Sequence, residues 1–263
     1  MLTPTQIAAR KGRLTGSRVA ALMTGDAAKI MSLYLEMTDD PAFVPEDLSD
    51  VWAVQLGVAT EQLNCDWFER KNRMPVTRRG EVVVHPQHDW AACTLDGWID
   101  ALRCPIESKH VGGREPLEIV VDRYQPQLQW ECEVTGAKQC ALSVIMGASE
   151  PVVEFIERDA DYAAEMVRRG RQFMDCVARR VEPVTLPAVP PPVDASKIYS
   201  MDGSNEWASA AVTWLTTKAA ARDCADAEKY LKSLVPADGK KCTGYGVTVT
   251  RDRAGRLSLR EIT

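Results

Sequence analysis

Two carboxylates and a lysine lie close together in the stretch CTLDGWIDALRCPIESKH, residues 93–110. Asp96 precedes a glycine, while Glu107 and Lys109 occupy alternate positions of an apolar run. Because side chains alternate between the two faces of a strand, Glu107 and Lys109 point to the same face. If residues 93–100 form the neighbouring antiparallel strand, Asp96 reaches that face as well.

This grouping of charges predicts a metal site. Two carboxylates on one face repel each other unless a cation neutralises them, and Mg²⁺ binds one or two carboxylates plus water and substrate oxygens. Lys109 beside the metal would hold or deprotonate a water molecule, and positive charge together with desolvation would lower its pKa. The chemistry would be metal-assisted phosphodiester hydrolysis. The alternative is that no metal site exists: Asp96 would then lie in a surface Asp-Gly turn, and Glu107 and Lys109 would form an exposed pair on a solvated strand.

Two further polar residues favour a site over a surface turn. Glu61 is spaced at helical intervals from Val58, Cys65 and Phe68, which places its carboxylate on an apolar stripe. Burying a lone carboxylate is costly unless it is paired or near a metal. Gln127 lies on another predicted helix, where its neutral amide can orient a water or a ligand carboxylate.

Hydrophobic periodicity and turn residues predict the elements that position these side chains. We expect a short helix that begins at Gly16-Ser17 with Ser17 as N-cap, and a loop over 39–50. Longer helices are predicted at 51–71, 123–134 and 160–180. Strands are predicted at 80–85, 91–100, 103–109, 139–146 and 152–157.

The prolines that begin at Pro183 predict a change of domain. Proline fixes φ and removes a backbone donor, so this Pro-rich stretch is expected to be stiff and extended. We therefore predict a core over residues 1–182, a linker over 183–195 and a small α+β extension over 196–263. The extension is expected to contain a helix at 205–234 and a hairpin formed by 243–250 and 256–262. Its predicted role is packing or oligomerisation, with DNA contact as the second possibility.

Composition narrows the class of protein. The chain has 263 residues, 45% of them hydrophobic, which is enough for one substantial core with a small appendage. The sequence has no run of about 18 apolar residues, so we expect no membrane span. Residues 1–12 do not have the pattern of a secretory signal. The eight cysteines contain no CxxC pair, so we expect reduced thiols in a cytoplasmic protein. The sequence contains no phosphate-binding loop of the GxxxxGKS type, so we do not expect ATP hydrolysis.

Charge and histidines leave alternatives open. The net charge is −5, yet basic residues cluster at 10–29, 70–79 and 168–180. Such clusters either follow a phosphate backbone or are solvated helix faces. His85, His88 and Cys93 match no complete zinc site, and we expect the two histidines to end a strand.

Six segments in order resemble one family over roughly residues 8–180. They read ARKGRLTGSRVAALM, LGVATEQLNCDWFE, TLDGWI, IESKH, YQPQLQWECEVTG and VVEFIERDADYAAEM. Together they resemble the phage lambda exonuclease / YqaJ-type viral recombinase nucleases of the PD-(D/E)xK superfamily. The resemblance implies an α/β fold, with a central mixed β-sheet flanked by helices.

The resemblance also implies roles for individual residues, together with two Mg²⁺ ions for which Mn²⁺ can substitute. The implied metal ligands are Asp96, Glu107 and the main-chain carbonyl of Ser108. The implied catalytic residue is Lys109, supported by Glu61 and Gln127. The implied contacts to a 5′-terminal phosphate are Arg10, Ser17 and Thr94. A phosphate there would also benefit from the helix N-terminus that follows.

The implied activity is 5′→3′ degradation of one strand of linear double-stranded DNA in phage-type recombination. It would leave 3′ overhangs for a single-strand annealing protein, and the enzyme would be a homotrimeric ring around DNA. It would be a phage or prophage protein, acting in the cytoplasm of the bacterial host. Two alternatives stay open: an endonuclease or repair nuclease with the same fold, and a non-catalytic protein that binds DNA ends.

The chain departs from the family pattern beside the expected ligands. Leu95 replaces the proline before Asp96, and Thr94 replaces a serine but keeps the hydroxyl. His110-Val111 replaces the usual Cys-Pro after Lys109. These departures bear on the loop geometry and on the phosphate contact, while the ligands themselves are present.

Overall fold

The computed structural model describes residues 3–192, 201 and 203–262. The chain divides into two compact units, Met1–Val193 and Asp194–Thr263. The strands of the first unit are β1 (Val76–Thr77), β2 (Val82–His85), β3 (His88–Thr94), β4 (Gly97–Ile99), β5 (Cys104–Val111), β6 (Gln139–Met146) and β7 (Val152–Glu157). Its helices are α1 (Pro4–Arg10), α2 (Gly16–Met23), α3 (Ala27–Met37), α4 (Trp52–Asn72), α5 (Leu117–Thr135) and α6 (Ala160–Arg179).

A five-stranded mixed sheet lies at the centre of the first unit, in the order β1-β4-β5-β6-β7. Neighbouring strands are antiparallel except β5 and β6, which are parallel. A parallel pair needs a long crossover, and α5 provides it. β2 and β3 form a separate antiparallel pair. The predicted α/β fold with a mixed sheet flanked by helices is confirmed.

The two faces of the sheet bury different helices. Phe68 of α4 packs with Ile106 of β5 on one face. Leu128 of α5 packs with Leu142 of β6 on the other face. Since Glu107 lies opposite Leu142 in the parallel register, Glu107 and Lys109 point toward α5, while Ser108 points toward α4.

A third apolar cluster joins α2, α3 and α6 to β3 and α5. The ring of Trp90 stacks on Trp130 at 6.2 Å and on His88 at 5.3 Å, and His88 stacks on His85 at 4.6 Å. His85 and His88 therefore take part in a row of stacked rings, where β2 turns into β3. Cys93 is buried in the apolar cluster.

The predicted strand 91–100 is wrong in one respect, because it is two strands in different sheets. The chain leaves β3 after Thr94 and enters β4 at Gly97. Between them the side chain of Leu95 is fully buried, and its N–H donates to the carbonyl of Glu81 at 2.9 Å. This break moves the chain from the β2–β3 pair into the central sheet. The predicted strands 139–146 and 152–157 are β6 and β7.

The beginnings of two helices differ from prediction. Thr15, not Ser17, is the N-cap of α2. Its hydroxyl makes no capping hydrogen bond and accepts from Arg10 Nη2 at 3.5 Å. α5 begins at Leu117, several residues before the predicted start, because Val120 and Val121 are already buried against the sheet. The elements α1, α3 and β1 were not predicted.

Residues 183–192 contain neither helix nor strand and pack on the rest of the first unit. The N–H of Val189 donates to the carbonyl of Met23 at 2.9 Å. The buried guanidinium of Arg169 donates to the carbonyls of Leu22 at 3.0 Å and Pro187 at 2.8 Å. Hydrogen bonds from Arg168 and Arg169 outweigh desolvation and lower the pKa of Glu165 to about 2. The rest of the predicted linker, 193–195, lies outside the described residues.

The second unit contains α7 (Asn205–Ser233), β8 (Lys241–Gly244), β9 (Val247–Arg251) and β10 (Leu257–Glu261). The three strands form an antiparallel sheet in the order β10-β9-β8. The predicted strand 243–250 is wrong, because a turn at Tyr245-Gly246 divides it. Both residues have positive φ, 48° and 82°, as a two-residue hairpin turn requires.

The cysteines and helices add two observations. All eight cysteines are unpaired; five are buried, and Cys224 is exposed. Among the described residues, no helix combines the length and the apolar character needed to cross a membrane.

Two helical glycines allow a matched test of packing. A Cβ at Gly170 would lie 2.7 Å from the ring of Trp90, whereas a Cβ at Gly57 would have no neighbour within 4 Å. We expect Gly170→Ala to destabilise the protein by about 1–3 kcal/mol, because the stacked tryptophan cannot yield. Gly57→Ala should stabilise it by up to about 1 kcal/mol through helix propensity. Urea denaturation followed by circular dichroism measures both, and equal effects would contradict this packing.

Candidate active site

Asp96 occupies a gap at the beginning of β4. The strand pairs with β5 only from Gly97, which lies opposite Ile106, so the next position of β5 has no strand partner on that side. Asp96 Oδ2 takes this place and accepts from the N–H of Ser108 at 2.8 Å. A Cβ at Gly97 would overlap Val76. The glycine therefore lets β1 approach closely enough to hold Asp96 at the gap.

Ser108 links this gap to both faces of the sheet. In a strand the N–H and C=O of one residue point to the same side, so the carbonyl of Ser108 faces the gap that Asp96 occupies. Its hydroxyl lies 3.3 Å from the thiol of Cys65 on α4. The carbonyl and the carboxylate of Asp96 thus come from neighbouring parts of the sheet and face the same space.

Glu107 lies on the α5 side and is 2% exposed. Its Oε1 accepts from the ammonium of Lys109 and from Gln127 Nε2, the latter at 2.5 Å. Its Oε2 is buried and has no hydrogen-bond partner among the described residues. A buried carboxylate oxygen without a partner is costly, so this atom marks a position where a ligand would be stabilising.

The facing side of α5 contributes three residues at helical spacing, Tyr124, Gln127 and Glu131. Gln127 Nε2 also donates to Glu131 Oε1 at 3.0 Å, so one amide joins two carboxylates. The ring of Tyr124 lies 5.0 Å from Lys109 Nζ. Glu131 is 1% exposed and was not predicted. Its spacing of four residues after Gln127 was the signal available in the sequence.

The carboxylates perturb one another. Burial, followed by repulsion from Glu107, raises the pKa of Asp96 and the pKa of Glu131 well above the ordinary carboxyl range. Burial alone would lower the pKa of Lys109, but attraction to Glu107 and Asp96 outweighs it and raises that pKa. The predicted lowering concerns Lys109 beside a bound metal and stays a prediction. It requires that the neighbouring carboxylates be neutralised.

Glu61 approaches the site from α4, on the opposite face of the sheet. Cys65 and Phe68 are buried as predicted, but Val58 and Glu61 are exposed, so the proposed apolar stripe ends before Glu61. Desolvation, followed by repulsion from Glu107, raises the pKa of Glu61. Glu61 is thus a rim residue whose carboxylate still experiences the charges of the site.

An open pocket of about 360 Å³ connects this rim to the N-terminal helices. Its lining includes Arg10, Glu61, Thr94, Asp96 and Gln127. Arg10 donates to the hydroxyl of Thr94 at 3.4 Å. Desolvation and repulsion from a neighbouring arginine lower the pKa of Arg10. The structure thus brings a cation and a hydroxyl to the same pocket as Asp96.

Ser17 lies beside this pocket rather than in its lining. It is exposed in the first turn of α2, directly after Gly16. A Cβ at Gly16 would lie 2.8 Å from Gln127 Cγ, so the glycine brings the start of α2 against the helix that carries Gln127. The N-terminus of α2 is therefore close to the site, although the position of Ser17 as its cap was wrong.

The other basic clusters are largely paired with carboxylates. Arg79 pairs with Asp66 at 2.6 Å and with Glu69 at 3.0 Å. Arg169 pairs with Glu165 at 2.7 Å. By contrast, Arg10 makes no ion pair with any described residue. Because Arg10 also lines the pocket that contains Asp96, its guanidinium is suited to bind an external anion beside the site.

A hard divalent cation fits this donor set. The site offers the unpartnered Oε2 of Glu107, the carboxylate of Asp96 and the main-chain carbonyl of Ser108, all oxygen donors. Among the described residues, no three His, Cys, Asp or Glu side chains already form a complete ligand set. Water and substrate oxygens would complete the coordination, as is usual for Mg²⁺.

Comparison with known families agrees with this architecture. The profile of the YqaJ-like viral recombinase domain matches residues 7–138, which is half of the chain. The chain belongs to this family. The matched range contains Asp96, Glu107, Lys109 and Gln127. No protein among curated sequences matches the chain.

Similarity to solved structures covers a larger share of the chain than the match to the YqaJ-like domain. The alkaline exonuclease LHK-Exo from Laribacter hongkongensis is 22% identical, with a TM-score of 0.57 over 68% of this chain and 95% of that chain. Its complex with dAMP gives the same values. A phage related exonuclease from Haemophilus somnus 129PT is 14% identical, with a TM-score of 0.44 over 64% and 86%. The first similarity establishes the fold.

The departures of this YqaJ-like domain from the family pattern have structural explanations. Leu95 is fully buried in the apolar cluster, so an aliphatic side chain anchors the loop before Asp96. His110 Nε2 lies 2.9 Å from the carbonyl of Gly147, and its Nδ1 lies 3.1 Å from the hydroxyl of Thr60. A carbonyl only accepts, so Nε2 is the donor. His110 therefore joins α4 to the β6–β7 turn.

Two variants on α5 test the carboxylate cluster, with opposite expected signs. Gln127→Leu removes the shared donor and should destabilise the metal-free protein by about 1–3 kcal/mol. Glu131→Gln removes one negative charge and should stabilise it near pH 8. Urea denaturation measures both variants.

The pH dependence follows from the raised pKa values. Because Asp96 and Glu131 bind protons more tightly when folded, their stabilising contribution is full below the ordinary carboxyl pKa and is lost as pH rises through the raised values. Unfolding free energy should fall from about pH 5 to about pH 8, and less steeply in Glu131→Gln. An unchanged slope in that variant would contradict the repulsion.

Proposed function

We propose that this chain is a metal-dependent deoxyribonuclease, which degrades one strand of linear double-stranded DNA from its 5′ end. The observation that supports this most is the buried, unpartnered Oε2 of Glu107, which lies in a cluster with Asp96 and Lys109. A carboxylate, a second carboxylate and an amine around one space are the groups that metal-assisted hydrolysis requires. The relatives named exonucleases have the same fold.

In this proposal Asp96, Glu107 and the carbonyl of Ser108 hold the metal, for which we propose two Mg²⁺ ions, with Mn²⁺ as a substitute. Bound Mg²⁺ would make a water more acidic and would stabilise charge on the phosphate. Gln127 fixes the orientation of Glu107 by its hydrogen bond. Glu61, on the rim, would support the site through its carboxylate.

Lys109 is the proposed proton acceptor. Its pKa is raised because the neighbouring carboxylates, chiefly Glu107 and Asp96, attract its charge and outweigh desolvation. Once those carboxylates are neutralised, burial remains and lowers the pKa of Lys109. The neutral amine could then take a proton from the water that attacks phosphorus.

The pocket beside the site supports action at a 5′ end. Arg10 and Thr94 would bind a 5′-terminal phosphate, and Ser17 would contribute from the start of α2. Guanidinium groups and helix N-termini both favour phosphate oxygens. A terminal phosphate held there would set which phosphodiester lies at the metal.

The wider proposal rests on family resemblance. We propose that residues 1–182 form the nuclease core, 183–195 the linker and 196–263 the extension. The protein would act in phage-type recombination in the cytoplasm of a bacterial host, leaving 3′ overhangs for a single-strand annealing protein. A homotrimeric ring around the duplex is the proposed assembly.

The catalytic assignment is tested with Asp96→Asn and Lys109→Ala. Either should lower Mg²⁺-dependent degradation by about 10²–10⁴-fold, while DNA binding persists. Exposed Asp100→Asn and Lys138→Ala are matched controls that should retain full rate. Mg²⁺ should also raise the melting temperature of the parent but not of Asp96→Asn. Full-rate cleavage by both site variants would refute the assignment.

Linear and closed circular duplexes separate this activity from the endonuclease alternative, because an exonuclease leaves the circle intact. Label released from the 5′ end before the 3′ end reports the polarity. Cutting of the circle would favour the endonuclease.

The 5′-phosphate contact is tested with Arg10→Ala. The parent should digest 5′-phosphorylated ends faster than 5′-hydroxyl ends, since a charge-assisted hydrogen bond contributes about 1.5–3 kcal/mol, or roughly 10–100-fold. Arg10→Ala should remove this preference, whereas exposed Lys11→Ala should keep it. If the parent digests both ends at equal rates, Arg10 does not have this role.

A further inference from the structure

One face of the three-stranded sheet in the second unit carries hydroxyl and basic side chains. Residues directly opposite each other in an antiparallel sheet share a face. Thr250 lies between Lys241 and Ser258, and Thr248 lies between Thr243 and Arg260. We call these six residues the hydroxyl-basic face.

Alternation along the strands places this face toward solvent. On the opposite face Val249 is buried, and Cys242, Leu257 and Leu259 are partly buried. On the hydroxyl-basic face every member is exposed or partly exposed. Cross-strand contacts join the hydroxyl groups of Thr243 and Thr248 at 3.1 Å, and those of Thr250 and Ser258 at 2.9 Å. The sheet thus presents an ordered polar surface.

The charge of this surface is opposite to that of the chain. Residues 240–262 contain six basic and two acidic side chains, although the whole protein has a net charge of −5. Asp252 is engaged by the N–H groups of Ala254 and Arg256, at 2.9 and 2.8 Å. Glu261 pairs with Val247 and lies on the opposite face. The hydroxyl-basic face itself carries no carboxylate.

Its two cations are available for an external anion. Lys241 and Arg260 lie on the two outer strands, are exposed, and make no ion pair with any described residue. Between them lie four hydroxyl groups, which add polar surface without charge. The hydroxyl of Thr248 donates to the carbonyl of Cys242 at 3.3 Å. This arrangement differs from the paired arginines of the first unit, such as Arg79 and Arg169.

We propose that the hydroxyl-basic face binds the phosphate backbone of the duplex DNA on which the nuclease acts. Lysine, arginine, serine and threonine are the side chains that contact phosphate oxygens, and such contacts need no base readout. The face has no exposed aromatic or aliphatic anchor of the kind that dominates protein interfaces. The choice of duplex DNA as partner rests on the proposed function.

The test measures binding without cleavage. The full chain is titrated into a short fluorescein-labelled duplex in EDTA, over a series of salt concentrations, and anisotropy gives the dissociation constant. The Lys241→Gln/Arg260→Gln variant should weaken binding roughly tenfold and lower the slope of log affinity against log salt by about 2, because each phosphate contact contributes about 0.9.

The control carries the same charge change elsewhere in the unit. Arg222→Gln/Lys229→Gln alters two exposed cations of α7 and should leave the slope as in the parent. Thr243→Val should weaken binding without changing the slope, because it removes a donor but no charge. All variants are checked for an unchanged thermal transition.

Two outcomes would overturn the inference. One is parent-like affinity and slope in Lys241→Gln/Arg260→Gln, as expected if the face binds an acidic protein. The other is an equal loss in the α7 control. Either result would leave the proposed function standing as long as Asp96→Asn abolishes cleavage. Conversely, full-rate cleavage by both Asp96→Asn and Lys109→Ala would refute the active-site assignment without affecting this DNA contact.

Discussion

The site depends on three carboxyl groups held in one small volume, those of Glu107 and Glu131, which are buried, and that of Asp96, which is partly buried. Such groups repel each other and lose hydration, so each needs a donor or a cation. The chain provides the N–H of Ser108 for Asp96 and the amide of Gln127 for the other two. Lys109 adds one positive charge. Glu107 Oε2 still has no hydrogen-bond partner among the described residues, so these groups compensate the negative charge only in part.

This partial compensation explains why backbone geometry matters so much here. A continuous strand through 91–100 would have paired all of β5, and Asp96 would have had no open side to face. The break at Leu95 and the absence of a side chain at Gly97 instead leave a gap at the beginning of β4. Through that gap α4 brings Glu61 near groups that belong to the opposite face. Side chains of α4 and α5, which pack on opposite faces of the sheet, can thus approach the same space beside Asp96.

Sequence periodicity predicted the parts of this arrangement that are local. Glu107 and Lys109 share a face because they are two residues apart, and β6 and β7 were predicted because their apolar runs end in turn residues. The sheet break was not predictable, since the apolar pattern continues through Leu95 and only tertiary burial removes it from the strand. Glu131 was missed for a related reason: in sequence it is one acid in a helix, and burial beside Glu107 arises from packing.

The sequence also could not show which basic residues are free of carboxylate partners, and the proposed DNA contacts depend on that property. Net charge indicates little, because fields near a surface come from local groups within a Debye length of about 10 Å. The arginines of the second and third basic clusters mostly neutralise neighbouring carboxylates, whereas Arg10, Lys241 and Arg260 have no such partner among the described residues. A cation already paired must break that pair to bind a phosphate, and the exchange gains little. The proposed DNA contacts therefore use cations that make no ion pair with a described carboxylate.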